Sequence, residues 1–185
     1  NQKFQTSDGF KSFYSLDLPI ISDTNTIKNY YNYSHYFDFF KKNFSSISIY
    51  LQSANSLNNK DIKLSERINI PSSRLRGFEA GRVGPKDGDD FVGGNYAYSI
   101  NFASNIPQLF EESQSIDFLI FADAADIWGV DYNSSIDGEG IRSSIGVALD
   151  WMTPIGPMSF SFAHPITKKD GDVTETFRFN LGTTF

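Results

Sequence analysis

The sequence predicts an all-β fold, a transmembrane antiparallel β-barrel with eight strands in this chain. Three observations carry that expectation. Apolar residues recur with a period of two in eight separate segments. The opposite face of those segments is small and polar (Ser, Asn, Asp, Gly, Ala), where a soluble sandwich would place Lys and Glu. The connections between segments differ sharply in length, as short turns at one rim of a barrel and long loops at the other would.

Composition sets the bounds. The 185 residues are enough for one domain. Aromatics reach 16%, with 18 Phe and 9 Tyr, while hydrophobic residues total only 39%. That balance fits apolar residues displayed on a surface better than a thick core. There is no Cys, which excludes disulfide and thiol chemistry. A net charge of −6 argues against a nucleic-acid partner. No run approaches the roughly 18 apolar residues of a membrane helix. Residue 1 is Asn and no charged-then-apolar leader follows, so a mature form or a fragment is expected.

In chain order, Phe10, Tyr14, Leu16 and Leu18 face away from Lys11, Ser15 and Asp17, and Asp23-Thr24-Asn25-Thr26 reads as a turn. From Asn29 to Phe39, Tyr31, Tyr33, His35, Phe37 and Phe39 share one face. Lys41-Lys42-Asn43 reverses the chain into Ile47, Ile49 and Leu51. After a long loop, Tyr96, Tyr98, Ile100 and Phe102 oppose Ala97, Ser99 and Asn101. Ile116, Phe118, Ile120 and Ala122 then oppose Asp117, Phe121 and Asp123. Ile141, Ile145, Val147, Leu149 and Trp151 oppose Arg142, Ser144, Gly146 and Asp150. A turn at 153–157 leads to Met158, Phe160, Phe162 and His164, opposite Ser159, Ser161 and Ala163. Last, Phe177, Phe179, Leu181 and Phe185 oppose Arg178 and Asn180. Strands of about nine to twelve residues, tilted near 45°, match the apolar band of an outer membrane.

The segment at about 56–94 does not alternate, and a loop that long among short connections is a functional candidate. It carries Ser72-Ser73-Arg74-Leu75-Arg76-Gly77-Phe78 and Gly81-Arg82-Val83-Gly84-Pro85. Asp87-Gly88-Asp89-Asp90 and Asp170-Gly171-Asp172 look like pieces of calcium loops but lack the full ligand spacing, and read as solvated turns. His35 and His164 fall on outward faces. No Ser-His-Asp set, metal cluster or phosphate loop is evident, so neither an enzyme nor a cofactor is expected.

Leu75-Arg76-Gly77-Phe78 resembles the Val-Arg-Gly-Phe motif of the BamA family, within a superfamily of outer-membrane insertases and secretion transporters. The resemblance continues through Val83-Gly84-Pro85-Lys86, Gly93-Gly94-Asn95 and the run from Ala148 to Pro157. It extends to Lys169-Asp170-Gly171-Asp172 and to the end, Phe177 to Phe185. It departs at Ile70-Pro71, where the family often has Gly-Gly, and in a short stretch between Gly84 and Gly93.

The resemblance implies the C-terminal half of a barrel of about sixteen strands, without the N-terminal POTRA repeats. It implies that Arg76 folds into the lumen and pairs with Asp123, with Gly77 as a bend and Phe78 as an apolar anchor. It implies that the last strand, with Phe177, Phe179, Leu181, Gly182 and Phe185, is both an assembly signal and one side of a weak lateral seam. Gly182 would let that strand bend. The implied function is folding and insertion of outer-membrane barrels, at the bacterial outer membrane. The partners would be membrane lipids, nascent barrel clients, and accessory lipoproteins reached through the missing N-terminal part. A secretion transporter of the same superfamily and a stand-alone eight-stranded structural or adhesive barrel are the alternatives. Taken alone, eight strands leave two open edges, which a membrane does not tolerate. Closure as a small barrel would expel the long loop and cost Arg76 its partner. Dimerisation or pairing with further strands are the other ways to satisfy the edges.

Overall fold

The computed structural model describes residues 8–19, 25–39, 43–106, 115–137, 140–154 and 156–181. Eight strands form one antiparallel sheet in chain order: β1 (Gly9–Asp17), β2 (Thr26–Phe37), β3 (Ser45–Ser56), β6 (Tyr96–Asn105), β7 (Ile116–Trp128), β8 (Arg142–Thr153), β9 (Gly156–Thr167) and β10 (Phe177–Leu181). The loop between β3 and β6 holds a two-stranded ribbon, β4 (Lys86–Asp87) and β5 (Asp90–Phe91), and two 3-10 turns, Leu64–Glu66 and Ser72–Arg74. A third 3-10 turn, Ser134–Ile136, follows β7.

The eight predicted strands are the observed ones, and their alternation shows in burial from β6 to β9, with small shifts at strand ends. Phe39 lies beyond the end of β2, and Ile141 just before β8. The sequence alternation thus runs one or two residues past the last ladder hydrogen bonds. Of the expected features, Asp23, Thr24, Lys41, Lys42, Gly182 and Phe185 lie outside the described residues.

The two faces are inverted relative to a soluble sheet. Ile100, Ile120, Ile145 and Phe162 are 48%, 41%, 51% and 54% exposed, while Ser99, Asp123, Arg142 and Ser144 are at most 2% exposed. An apolar exposed face and a buried polar one suit a wall with lipid outside.

What buries the polar face is the long loop. Tyr50, Ala54, Ala97, Ala125 and Ile127 of the wall pack with Ile62, Ile68, Ile70, Leu75, Phe78 and Val83 of the loop. The wall residues are mostly small, which leaves room for the loop's large ones. Each large side chain so buried contributes about 1.5–3 kcal/mol. Entry into β6 needs a close backbone approach. A Cβ on Gly94 would lie 2.4 Å from the Trp128 carbonyl oxygen.

By antiparallel topology, the connections 57–95, 129–141 and 168–176 share one end of the sheet. Strands β1 and β10 are its edges, and they do not pair with each other among the described residues. The loop is seated on the polar face and is not expelled, unlike the arrangement expected of a closed eight-stranded barrel.

Candidate functional site

The loop reaches deep along the wall. Asp123 sits five residues (128 − 123) inside the Trp128 end of β7, so the loop extends about 17 Å down the strand to meet it. The 3-10 turn Ser72–Arg74 places Leu75 and Phe78 in the apolar cluster, 2% and 1% exposed, and leaves Arg76 between them facing the wall.

Arg76 Nε donates to Asp123 Oδ2 at 2.7 Å, and Nη2 donates to Oδ1 at 2.8 Å. The Arg76 backbone N–H donates to the same Oδ2 at 3.1 Å. Asn101 Nδ2, from neighbouring β6, donates to Asp123 Oδ1 at 2.8 Å and to the Arg74 carbonyl at 2.8 Å. Ser144 Oγ on β8 donates to the Arg76 carbonyl. The guanidinium lies 3.5 Å from the centroid of the Phe121 ring. The Asp123 side chain is wholly buried and that of Arg76 is 20% exposed. A planar two-point fork with every carboxylate lone-pair direction engaged gives geometric specificity as well as attraction.

Gly77 makes the turn after Arg76 possible. Its φ is +91°, and a Cβ there would stand 3.1 Å from Ala163 Cβ and 3.2 Å from Ser144 Cβ. Arg74, the preceding arginine, donates through Nη2 to Asn32 Oδ1 at 2.7 Å, and its guanidinium lies over the Tyr50 ring. Arg82 pairs with Glu79 in an exposed position, a contact worth little.

Three further arginines hold the same assembly, and sequence reasoning did not single them out. Arg142, 1% exposed, donates to Asp126 Oδ1 at 2.8 Å and to Asp172 Oδ2 at 3.0 Å. Asp172 also accepts from the Gly84 and Lys169 amides. The expectation that Asp170-Gly171-Asp172 is a solvated turn therefore fails at Asp172, whose side chain is 1% exposed. Asp87 to Asp90 does form an exposed hairpin tip. Arg67 pairs with Asp131, and Ile62 N–H donates to Asp131 Oδ2 at 2.6 Å. Burial alone would raise the Asp131 carboxyl, but the Ile62 amide and the Arg67 charge outweigh it and hold it below its usual value. Arg178, on β10, bonds Glu175 and two loop carbonyls. An arginine among small residues on a polar strand face was the available signal for Arg142 and Arg178.

On the edge strand, Phe177, Phe179 and Leu181 point outward at 46%, 44% and 58% exposed. Phe177 and Phe179 lie against Phe162 and Phe160 of β9. His35 and His164 are exposed on the outer face.

An internally held loop with Arg76 on a buried wall carboxylate is one half of the identification. The other is that the Omp85 superfamily domain matches residues 1–185. The chain belongs to the Omp85 superfamily. Its wall is a stretch of outer-membrane β-barrel. The chain is 35% identical over 140 residues to the outer membrane protein assembly factor BamA of Neisseria meningitidis, covering 60% of this chain and 17% of that protein. It is 30% identical over 152 residues to a SAM50-like protein of Schizosaccharomyces pombe, covering 76% of this chain and 31% of that protein. The crystal structure of BamA from Haemophilus ducreyi lacking POTRA domains 1-3 superposes with a TM-score of 0.83 at 29% identity, over 97% of this chain and 39% of that one. This Omp85 chain thus spans well under half the length of these relatives.

Proposed function

We propose that this chain is the C-terminal half of an outer-membrane barrel that folds other barrels and inserts them into the outer membrane. The single observation that carries the reading is the Arg76–Asp123 seat, in an Omp85 chain whose relatives include outer-membrane assembly factors. The seat fixes the loop against β7, next to strands β8 to β10 that lead to the sheet edge. In this reading β10 lines a weak seam; Gly182 and Phe185, which the resemblance also assigns to it, lie outside the described residues. An exposed strand edge there templates an incoming client strand by backbone pairing, with no covalent step. The long connections face the cell exterior. Outer-membrane lipids and nascent barrels are the partners, and accessory lipoproteins act through parts of the protein outside this chain.

The test uses the full-length protein in lipid vesicles, with an urea-unfolded barrel as client and folding read by heat-resistant gel mobility. Arg76→Ala is expected to slow client folding at least tenfold while leaving the protein in the membrane. Unchanged client folding would overturn the reading. Passage of an unfolded polypeptide into the vesicle lumen, without client insertion, would replace it with a secretion transporter.

A further inference from the structure

The loop is tied to the edge strand as well as to β7. Arg178 lies on the inward face of β10, between the outward Phe177 and Phe179. Its Nη1 donates to the Ser72 carbonyl at 2.6 Å, and its Nη2 to the Phe78 carbonyl at 2.5 Å. Its Nε donates to Glu175 Oε2 at 2.8 Å. Those two carbonyls flank the segment that contains Arg76.

The backbone reinforces the tie just before β10. Glu79 N–H donates to the Val173 carbonyl, Val173 N–H to the Arg82 carbonyl, and Glu175 N–H to the Gly77 carbonyl. Loop and connection therefore form a short ribbon that ends where β10 begins. Arg178 is the side chain that carries the contact into the strand itself.

We infer that Arg178 is a positioning residue that couples the seat of the arginine loop to the edge strand, so that strand and loop shift together. The inference rests on the reading of β10 as the seam strand. The guanidinium suits the task because one rigid fork reaches two carbonyls and a carboxylate at once, which a lysine ammonium on a flexible stem does not hold in place. The contacts lie at the loop-side end of β10. Arg178 thereby resists movement of that end of the strand unless the loop also leaves its seat.

Hydrogen exchange on the full-length protein in vesicles, with no client present, tests this. Peptides covering 72–84 and 177–181 are followed in four forms: unchanged, Asp123→Ala, Arg178→Ala, and both. Asp123→Ala is expected to speed exchange in 72–84 and, through Arg178, in 177–181 by about tenfold, the scale of one charge-assisted hydrogen bond. With Arg178→Ala already present, Asp123→Ala is expected to loosen the loop without further effect on 177–181. Arg178→Lys is expected to restore only part of the coupling. Equal effects of Asp123→Ala on 177–181 in both backgrounds, or none in either, overturn the inference. Arg178→Gln, neutral and too short to reach the two carbonyls, carries the same comparison if the alanine form does not fold. Because no client enters the measurement, coupling can fail while client folding persists, and the converse.

Discussion

Arg76 and Asp123 meet through two parallel hydrogen bonds of 2.7 and 2.8 Å, the carboxylate wholly buried and the guanidinium still touching solvent. That asymmetry fixes which partner is more costly to remove. Loss of Arg76 strands a desolvated carboxylate. Loss of Asp123 leaves a cation that can turn toward water. Arg76→Ala is expected to destabilise the loop seat by about 3 kcal/mol, at the lower end for broken buried pairs, and Asp123→Ala by less. Arg76→Lys keeps the charge but not the fork, and falls between. Protease resistance of the loop in the folded, membrane-embedded protein checks the order.

Gly77→Ala combines a left-handed backbone with two near contacts, Ala163 Cβ and Ser144 Cβ. The added methyl forces the turn away from the wall and costs about 1–3 kcal/mol in strain. Increased cleavage within 72–84, with the strands unaffected, is the expected result. Gly81, whose added Cβ meets nothing within 4 Å, is the control for backbone strain alone.

Arg142 is enclosed between two carboxylates, with its side chain 1% exposed. Arg142→Ala leaves Asp126 and Asp172 facing each other without a cation, at a cost of about 3–5 kcal/mol. Adding Asp172→Asn to Arg142→Ala should recover part of that loss, since it removes one stranded charge. Denaturant midpoints in detergent distinguish recovery from further damage.

The Arg67–Asp131 tie gives one acid-sensitive contact outside the membrane span. The Asp131 carboxyl is held below its ordinary value. A lowered carboxylate stabilises the fold fully above its unfolded value of about 3.9, and loses that contribution as pH falls through the lowered one. The difference in loop protection between the unchanged protein and Asp131→Asn should be constant from about pH 5 to 8 and disappear in stronger acid. A difference that grew toward acid would contradict the sign.

Much of the fold was legible because a strand wall leaves a period-two trace in the chain. Ile100 and Ser99, or Ile145 and Ser144, declare their faces by residue type alone. The loop was legible as an interruption of that trace. What local pattern could not carry is the meeting of distant loops. Asp172 looks like a solvated turn residue until Arg142 and the Gly84 amide are brought to it. Asp126 breaks the alternation beside Ala125 and Ile127, because at the strand end it turns to Arg142 and to the Gly140 amide. Arg178 reads as one more inward residue, since its partners are backbone carbonyls, which have no sequence signature.

A double-mutant cycle on Arg76 and Asp123, read by hydrogen exchange of the amides at 75–84, tests whether this ion pair is what seats the loop. The seat predicts strong coupling, with the double variant loosening the loop by much less than the sum of Arg76→Ala and Asp123→Ala. Two independent effects that simply add would show that the loop is held by other contacts, and would contradict the account.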